Sequence, residues 1–212
     1  MKPDRSCLEF SQAISVRQMR DSDAYTIEHF VPSRELMYRA ARGVFEAVSW
    51  EGRKVAIVAG SGNNGGDGYA LAGILARQGI RPKVFRTSEK LSEDGAYYCE
   101  DALAQGVEME LFSEAVDFSA FDIVVDCILG TGFSGVPRGL AAAAISRINQ
   151  SGAFVVSVDI NSGMNGDTGE AELAVRSDRT VSIGCYKKGL FLGRAPELIG
   201  DLVNVDIGIK LI

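Results

Sequence analysis

Gly60-Ser61-Gly62-Asn63-Asn64-Gly65-Gly66-Asp67-Gly68 is the stretch on which the reading of this chain turns. It follows Val55-Ala56-Ile57-Val58-Ala59, an apolar, β-branched run with the length of a buried strand. After it, Tyr69-Ala70-Leu71-Ala72-Gly73-Ile74-Leu75-Ala76-Arg77 has the composition of a helix packed against a sheet. The glycines are therefore expected in a strand-to-helix turn. Such a turn aims backbone N–H groups and the positive end of a helix dipole at whatever lies above the sheet. Five glycines in nine residues leave no side chains to hold a ligand away from the backbone.

Two phosphate-binding patterns can be tested here. Gly60-x-Gly62-x-x-Gly65 meets the spacing of a dinucleotide fingerprint, a weak signal by itself. That fingerprint expects an acid at the end of the next strand to hold a ribose. Instead, Pro82-Lys83-Val84-Phe85 runs into Arg86, and the nearest acid is Glu89. A P-loop is excluded, because Gly65 is followed by Gly66-Asp67 and not by lysine and a hydroxyl residue. Asn63, Asn64 and Asp67 are the unusual part. A carboxylate in the first helical turn competes with phosphate for the same N–H groups. As local chemistry alone, Asp67 would satisfy the dipole and the asparagines would be turn residues. The same set also describes a site for a polar ligand together with a cation.

At 212 residues the chain is long enough for one well-buried core, and a single domain over 1–212 is expected. A hydrophobic share of 46% with 24% charged residues is that of a globular protein. Net charge of −6 and a pI near 4.9 argue against nucleic-acid or membrane binding. Cys7, Cys99, Cys127 and Cys185 are far apart, which suggests reduced thiols in a cytoplasmic protein and not a zinc site or a disulfide framework. His29 is the only histidine, with a surface or capping role expected. No apolar stretch approaches a membrane span, and the first residues lack the apolar core of a signal peptide.

Residues 1–12 read as a loose start, with a helix from Ile14 to about Glu28. A second is expected from a Ser33 cap, with Leu36, Ala40, Val44 and Val48 on one face and Gly52 ending the run. From residue 54 the alternation is regular. Strands are expected near 54–59, 82–86, 107–111, 121–126, 153–158, 179–183 and 202–206, and helices over 65–78, 92–105 and 138–150. This predicts an α/β fold: a three-layer Rossmann-like sandwich, with a mostly parallel central sheet, helices on both faces and extra N-terminal helices. In such folds ligands bind beyond the carboxyl ends of the strands. Two further strand ends carry acids: Asp126, followed by Cys127-Ile128-Leu129-Gly130-Thr131-Gly132, and Asp159, followed by Ile160-Asn161-Ser162-Gly163. An acid directly after a β-branched run is poor material for continuing a buried strand.

On Gly62-Asn63-Asn64-Gly65-Gly66-Asp67-Gly68, Asp126-Cys127-Ile128-Leu129-Gly130-Thr131-Gly132 and Val158-Asp159-Ile160-Asn161-Ser162-Gly163, the chain resembles the NAD(P)H-hydrate epimerases, the YjeF N-terminal domain family. The likeness continues through Asp167-Thr168-Gly169, Thr180-Val181-Ser182-Ile183-Gly184 and Lys187 to Gly200-Asp201. It implies an isomerase that interconverts the R and S hydrates of NADH and NADPH (NADHX and NADPHX) at C6 of the nicotinamide ring. An ADP- or ATP-dependent dehydratase would be its functional partner, and a homodimer its assembly. By the same likeness, Asn63, Asn64, Gly65, Gly66 and Asp67 line the substrate site, as do Gly130, Thr131, Gly132, Phe133, Ser134, Gly135 and Val136, and Asp159 contacts the reacting ring. Asn64, Asp126 and Ser162 bind potassium, and oxygen-only ligands of that kind suit a hard cation. The chain departs from the family pattern at Asn161 and Lys188, where prolines are usual, and at Tyr38-Arg39-Ala40-Ala41.

The chemistry is consistent with that likeness. The hydrate is a hemiaminal, so inversion needs C6 to become planar, by loss of water or by ring opening, and then to be re-attacked from the other face. Either route moves a proton on and off oxygen, which makes Asp159 the expected general acid and base. Lys187 is read as solvated, or as reaching a phosphate. Two other readings use the same residues: a dimerising scaffold or nucleotide-binding module of the same fold without activity, and an NADP dehydrogenase with Arg86 on the 2′-phosphate.

Overall fold

The computed structural model describes residues 11–212, so the expectations for the loose start, for Cys7 and for a signal peptide fall largely outside the described residues. Two helices, α1 (Val16–His29) and α2 (Ser33–Glu46), precede the sheet. Then come β1 (Val55–Ala59), α3 (Asn63–Arg77), β2 (Lys83–Arg86), α4 (Glu93–Ala104), β3 (Glu108–Leu111) and β4 (Ile123–Cys127). The chain ends with α5 (Gly139–Asn149), β5 (Phe154–Val158), β6 (Ser177–Ile183), α6 (Ala195–Leu198) and β7 (Ile199–Val205). All seven strands pair in parallel, in the order β3-β2-β1-β4-β5-β6-β7. The order is that of a doubly wound dinucleotide fold with one strand added.

Strand alternation divides the core. Val55, Ile57 and Ala59 of β1 face one layer with α2, α3 and α4, where Leu36, Ala40, Val44 and Val48 pack as their spacing requires. Ala56 and Val58 face the opposite layer, which holds α5 and an aromatic group of Phe85, Phe112 and Phe118. The second N-terminal helix, α2, thus belongs to the sandwich. Because α3 lies between the sheet and two helices, eleven of its fifteen residues are buried, which accounts for a sequence apolar on all sides.

Several boundaries differ from expectation for local reasons. Pro32, with φ −55° and ψ 146°, occupies the cap position of α2, so Ser33 is the first helical residue and makes no cap bond. That helix ends at Glu46; Gly52, at φ +70°, serves the turn into β1. Strand β7 begins at Ile199, three residues before the expected start, directly after α6. The largest difference concerns α3, which starts at Asn63 with Gly62 as its cap. Most of the glycine stretch is therefore helix, not turn, and Asp67 falls in the second turn.

Candidate functional site

The order of the sheet reverses direction around β1 and β4, which pair from Val55↔Ile123 to Ala59↔Cys127. Crossovers leave to opposite sides at this point, so a crevice forms beyond the strand ends. It holds a cavity of about 510 Å³, within the range of small-molecule sites. The start of α3, the loop after β4, Asp159 after β5, Ile183 and Lys187 after β6, and one face of α1 line it.

Glycine has a packing role in most of the first motif. A Cβ on Gly60 would lie 1.9 Å from the Ile128 carbonyl oxygen, and one on Gly65 would lie 2.1 Å from the Gly60 oxygen. On Gly66 it would meet Met37, and on Gly68 the Cys127 side chain. Only Gly62 of the five faces open space. The expectation that these glycines bare the backbone to a ligand is corrected on this point: they let α3 press against β1, β4 and α2. Gly65 and Gly66 are buried beneath the cavity wall, whereas Asn63, Asn64 and Asp67 line it.

Asp126 lies inside β4 and is wholly buried, where a rim position was expected. Strand alternation turns it toward Ser157, its register partner on β5. Its carboxyl accepts from Ser157 Oγ at 2.9 Å, the Ser162 amide at 2.9 Å, the Ile128 amide at 3.2 Å and Ser162 Oγ. Burial pushes this carboxyl up, and the hydrogen bonds from Ser162, Ser157 and Ile128 partly offset it. Ser162 Oγ also accepts from the Leu129 amide at 2.8 Å, and Asn64 Nδ2 donates to the Leu129 oxygen at 3.2 Å. Asn64 Oδ1, although buried, has no hydrogen-bond partner. An orphaned acceptor of this kind costs about 1–3 kcal/mol, and a hard cation is one partner that satisfies it. The oxygens of Asn64, Asp126 and Ser162 therefore fit a potassium ion. Among the described residues, no three His, Cys, Asp or Glu side chains group to hold a metal.

Asp159 is different. It is the one described non-glycine residue at positive φ, +67°, in a region where L residues are strained. Its amide donates to the Val181 oxygen at 2.7 Å, which ties the turn to β6. Its carboxylate forms an ion pair with Lys187 and faces the cavity. Lys187 is 1% exposed, against the expectation of a solvated lysine. Gly184, at φ +72°, folds the chain back on β6, and the ammonium also donates to the Ile183 oxygen at 2.7 Å. The composition of the motif gives no sign of that reversal. Asp67 joins this group from α3. Burial pushes its carboxyl well above the usual range, the charges of Asp159 and Asp23 add to the shift, and Lys187 opposes it. Asp23, on α1, has no place in the sequence reading.

The loop after β4 divides at its middle. Gly130, Thr131, Gly132 and Phe133 line the cavity, while Ser134, Gly135 and Val136 are exposed beyond it. Arg86 is not among the cavity-lining residues. Asn161 does not loosen the segment before Ser162 as the loss of a proline would suggest. Its buried Nδ2 donates to the Val175 oxygen, Ser177 Oγ and the Leu198 oxygen at 3.0–3.1 Å, and its Oδ1 accepts from Thr180 Oγ1 at 2.6 Å. His29 is exposed at the end of α1, Cys99 and Cys127 are buried free thiols, and no described helix is long and apolar enough to cross a membrane.

Comparison with known proteins bears on this arrangement. Residues 33–189 match the family model of the YjeF-related protein N-terminus. The NAD(P)H-hydrate epimerase of Rhodopirellula baltica is 35% identical, covering 93% of this chain and 85% of that protein. The protein of the same name from Oenococcus oeni is 35% identical over 92% of this chain and 96% of its own length. The Bifunctional NAD(P)H-hydrate repair enzyme Nnr of Coxiella burnetii is 32% identical over 92% of this chain, which spans 41% of that longer protein. The crystal structure of yeast ynu0 has the same fold, with a TM-score of 0.72 at 22% identity over 91% of this chain and 86% of that one.

Proposed function

This chain belongs to the family of the YjeF-related protein N-terminus, and from that premise we propose that it is an isomerase that interconverts the R and S hydrates of NADH and NADPH at C6 of the nicotinamide ring. One observation carries the chemistry: a carboxylate held in a strained conformation at a strand end, paired with a buried ammonium and facing the cavity that the asparagines of α3 also line.

The hydrated ring enters with C6 toward Asp159. Asp159 moves a proton on and off the oxygen at C6 as general acid and base, a role worth about 10²–10⁴ in rate. Lys187 orients that carboxylate and keeps it from turning to solvent. Asn63, Asn64 and Asp67 hold polar groups of the substrate, and the cavity-lining part of the loop after β4, from Gly130 to Phe133, covers it. A potassium ion on Asn64, Asp126 and Ser162 would supply positive charge beside the α3 N-terminus; Asn64 and Ser162 already share the Leu129 carbonyl, so the ligands are held in place. The product pool suits a dehydratase that accepts one epimer, and the working form is a cytoplasmic homodimer.

Incubating the protein with one purified hydrate epimer and separating the products by chromatography, with and without potassium, tests this reading. Conversion to a mixture of both epimers, faster with potassium, is expected. Recovery of the starting epimer alone would instead leave a scaffold of the same fold.

A further inference from the structure

By the route that loses and re-adds water, inversion at a hemiaminal carbon makes a demand that a carboxylate on one face does not meet. The hydroxyl leaves from one face of the ring and water returns to the other, so proton transfer is needed on both faces. Asp159 approaches from the sheet and serves one. The cavity contains another carboxyl, on a different element, that has no role in the reading above.

Helix α1 presents Val16, Met19, Arg20, Asp23 and Ile27 to the cavity, a stripe at helical spacing. Asp23 is the only acid in it. The helix is held firmly in place. Asp167 accepts from the Val16 amide at 2.8 Å, and Ile14 bridges to Lys187. Thr26 Oγ1 accepts from the Lys210 amide at 2.9 Å, and Ser22 Oγ accepts from the Ile212 amide at 3.2 Å. These contacts lie either side of Asp23 and fix the face that carries it. Asp23 itself is half-buried, and no described side chain forms an ion pair or hydrogen bond with it. A carboxyl so placed is free to bond to whatever occupies the cavity.

We propose that Asp23 is a second catalytic residue of this cavity, transferring the proton on the face of the ring that Asp159 does not reach. The proposal rests on the epimerase reading. In one direction, protonated Asp23 donates to the C6 hydroxyl oxygen. The C6–O bond breaks with its electron pair on oxygen, water departs, and the N1 lone pair forms the C6=N1 iminium. Water then attacks C6 from the other face, the iminium pair returns to N1, and the excess proton passes to Asp159. The reverse direction exchanges the two roles. One water leaves and one adds, nothing is oxidised, and solvent resets the protons.

The surroundings support a shared proton. Burial raises the Asp23 carboxyl, the Asp159 charge raises it further, and Lys187 partly offsets both. Asp94 from α4 adds negative charge to the cavity wall, and Asp67 from α3 adds a carboxyl that burial holds well above the usual range; Arg20 of α1 and Lys187 are the facing cations, and α2 contributes Ser33, Leu36, Met37 and Ala40 without charge.

Asp23→Asn tests this, with Asp21→Asn as the helix control, because Asp21 is exposed and, among the described residues, pairs with Arg17 alone. The expected loss in D23N is about 10²-fold or more in kcat with KM changed little, and one limb of the wild-type pH profile disappears. D23E should recover part of the activity, D21N should match wild type, and D23N should melt no lower than wild type. In H₂¹⁸O, D23N should exchange the C6 oxygen with retention faster than it inverts. Wild-type kcat in D23N overturns the proposal, as does a loss that keeps the wild-type pH profile and is not recovered by D23E. Absence of epimerisation in the wild-type protein would instead remove the underlying reading.

Discussion

The ends of β4 and β5 look alike in the sequence and differ in the fold. Each is a β-branched run closed by an aspartate, Asp126 in one and Asp159 in the other. Asp126 stays in its strand, wholly buried, with hydroxyl and amide donors around its oxygens. Asp159 leaves its strand at φ +67° and meets the cavity with one buried cation behind it. The first acid organises the loops that surround it, and the second is displayed. What separates them is the partner strand: Ser157 stands opposite Asp126 and draws it inward, whereas Asp159 lies past the last paired residue of β5 and has no strand residue opposite it. The same local signal therefore yields an internal strut at one end and a cavity-facing carboxylate at the other.

The largest effect expected from this contrast is at Asp159. Asparagine tolerates the left-handed region, so Asp159→Asn keeps the turn and removes the proposed proton-transfer group. A loss of about 10²–10⁴ in kcat with a normal melt is expected. Full kcat in that variant would place the chemistry elsewhere. At Asp126 the expected damage is to folding. Asp126→Ala strands the Ser162 and Ile128 amides, each worth about 1–3 kcal/mol when buried without a partner. A chain of ordinary stability, about 5–15 kcal/mol, would then melt well below wild type. If D126A kept the wild-type melting temperature and D159N lost its fold, the contrast would be reversed.

The fold could be read from periodicity because each strand and each of the three long helices from residue 54 onward carries its own local pattern, and these lie close to the expected elements; the four-residue α6 has no counterpart among the expectations. The convergence of Asn64, Asp126 and Ser162 around Leu129 also follows from strand-end motifs and the family likeness. The rest depends on contacts that no local pattern records. Lys187 reads as a surface lysine until Gly184 turns the chain back. Asp23 sits in a polar helix whose buried residues are Ser22 and Thr26, so no apolar face announces which side turns inward. Asn161 looks like a lost proline, yet its amide links the loop after β5 to β6 and to the Val175 and Leu198 carbonyls. Asp67 was expected in a first turn, but the helix starts earlier, because the glycines there are packing residues and allow it.

The smallest effect sharpens the comparison with a third acid. Asp67 shares the cavity with Asp159 but has no ion pair of its own among the described residues, and burial followed by the charges of Asp159 and Asp23 holds its carboxyl well above the usual range. An unfolded aspartate titrates near about 3.9. Between that pH and the folded value the native state binds a proton that the unfolded chain has lost. Stability contributed by Asp67 is then complete below about pH 4 and declines as the pH rises toward the folded value, at about 1.4 kcal/mol for each unit separating the two. Asparagine at this position does not titrate. In potassium-free buffer, the melting temperature of Asp67→Asn relative to wild type should therefore climb from pH 4 to pH 8, by roughly 2–4 °C for each kcal/mol. A difference that stays flat over that range would mean that Asp67 is charged in the folded state, with a cation or water beside it, and that the unpaired acid of this rim resembles Asp126 more than it resembles Asp159.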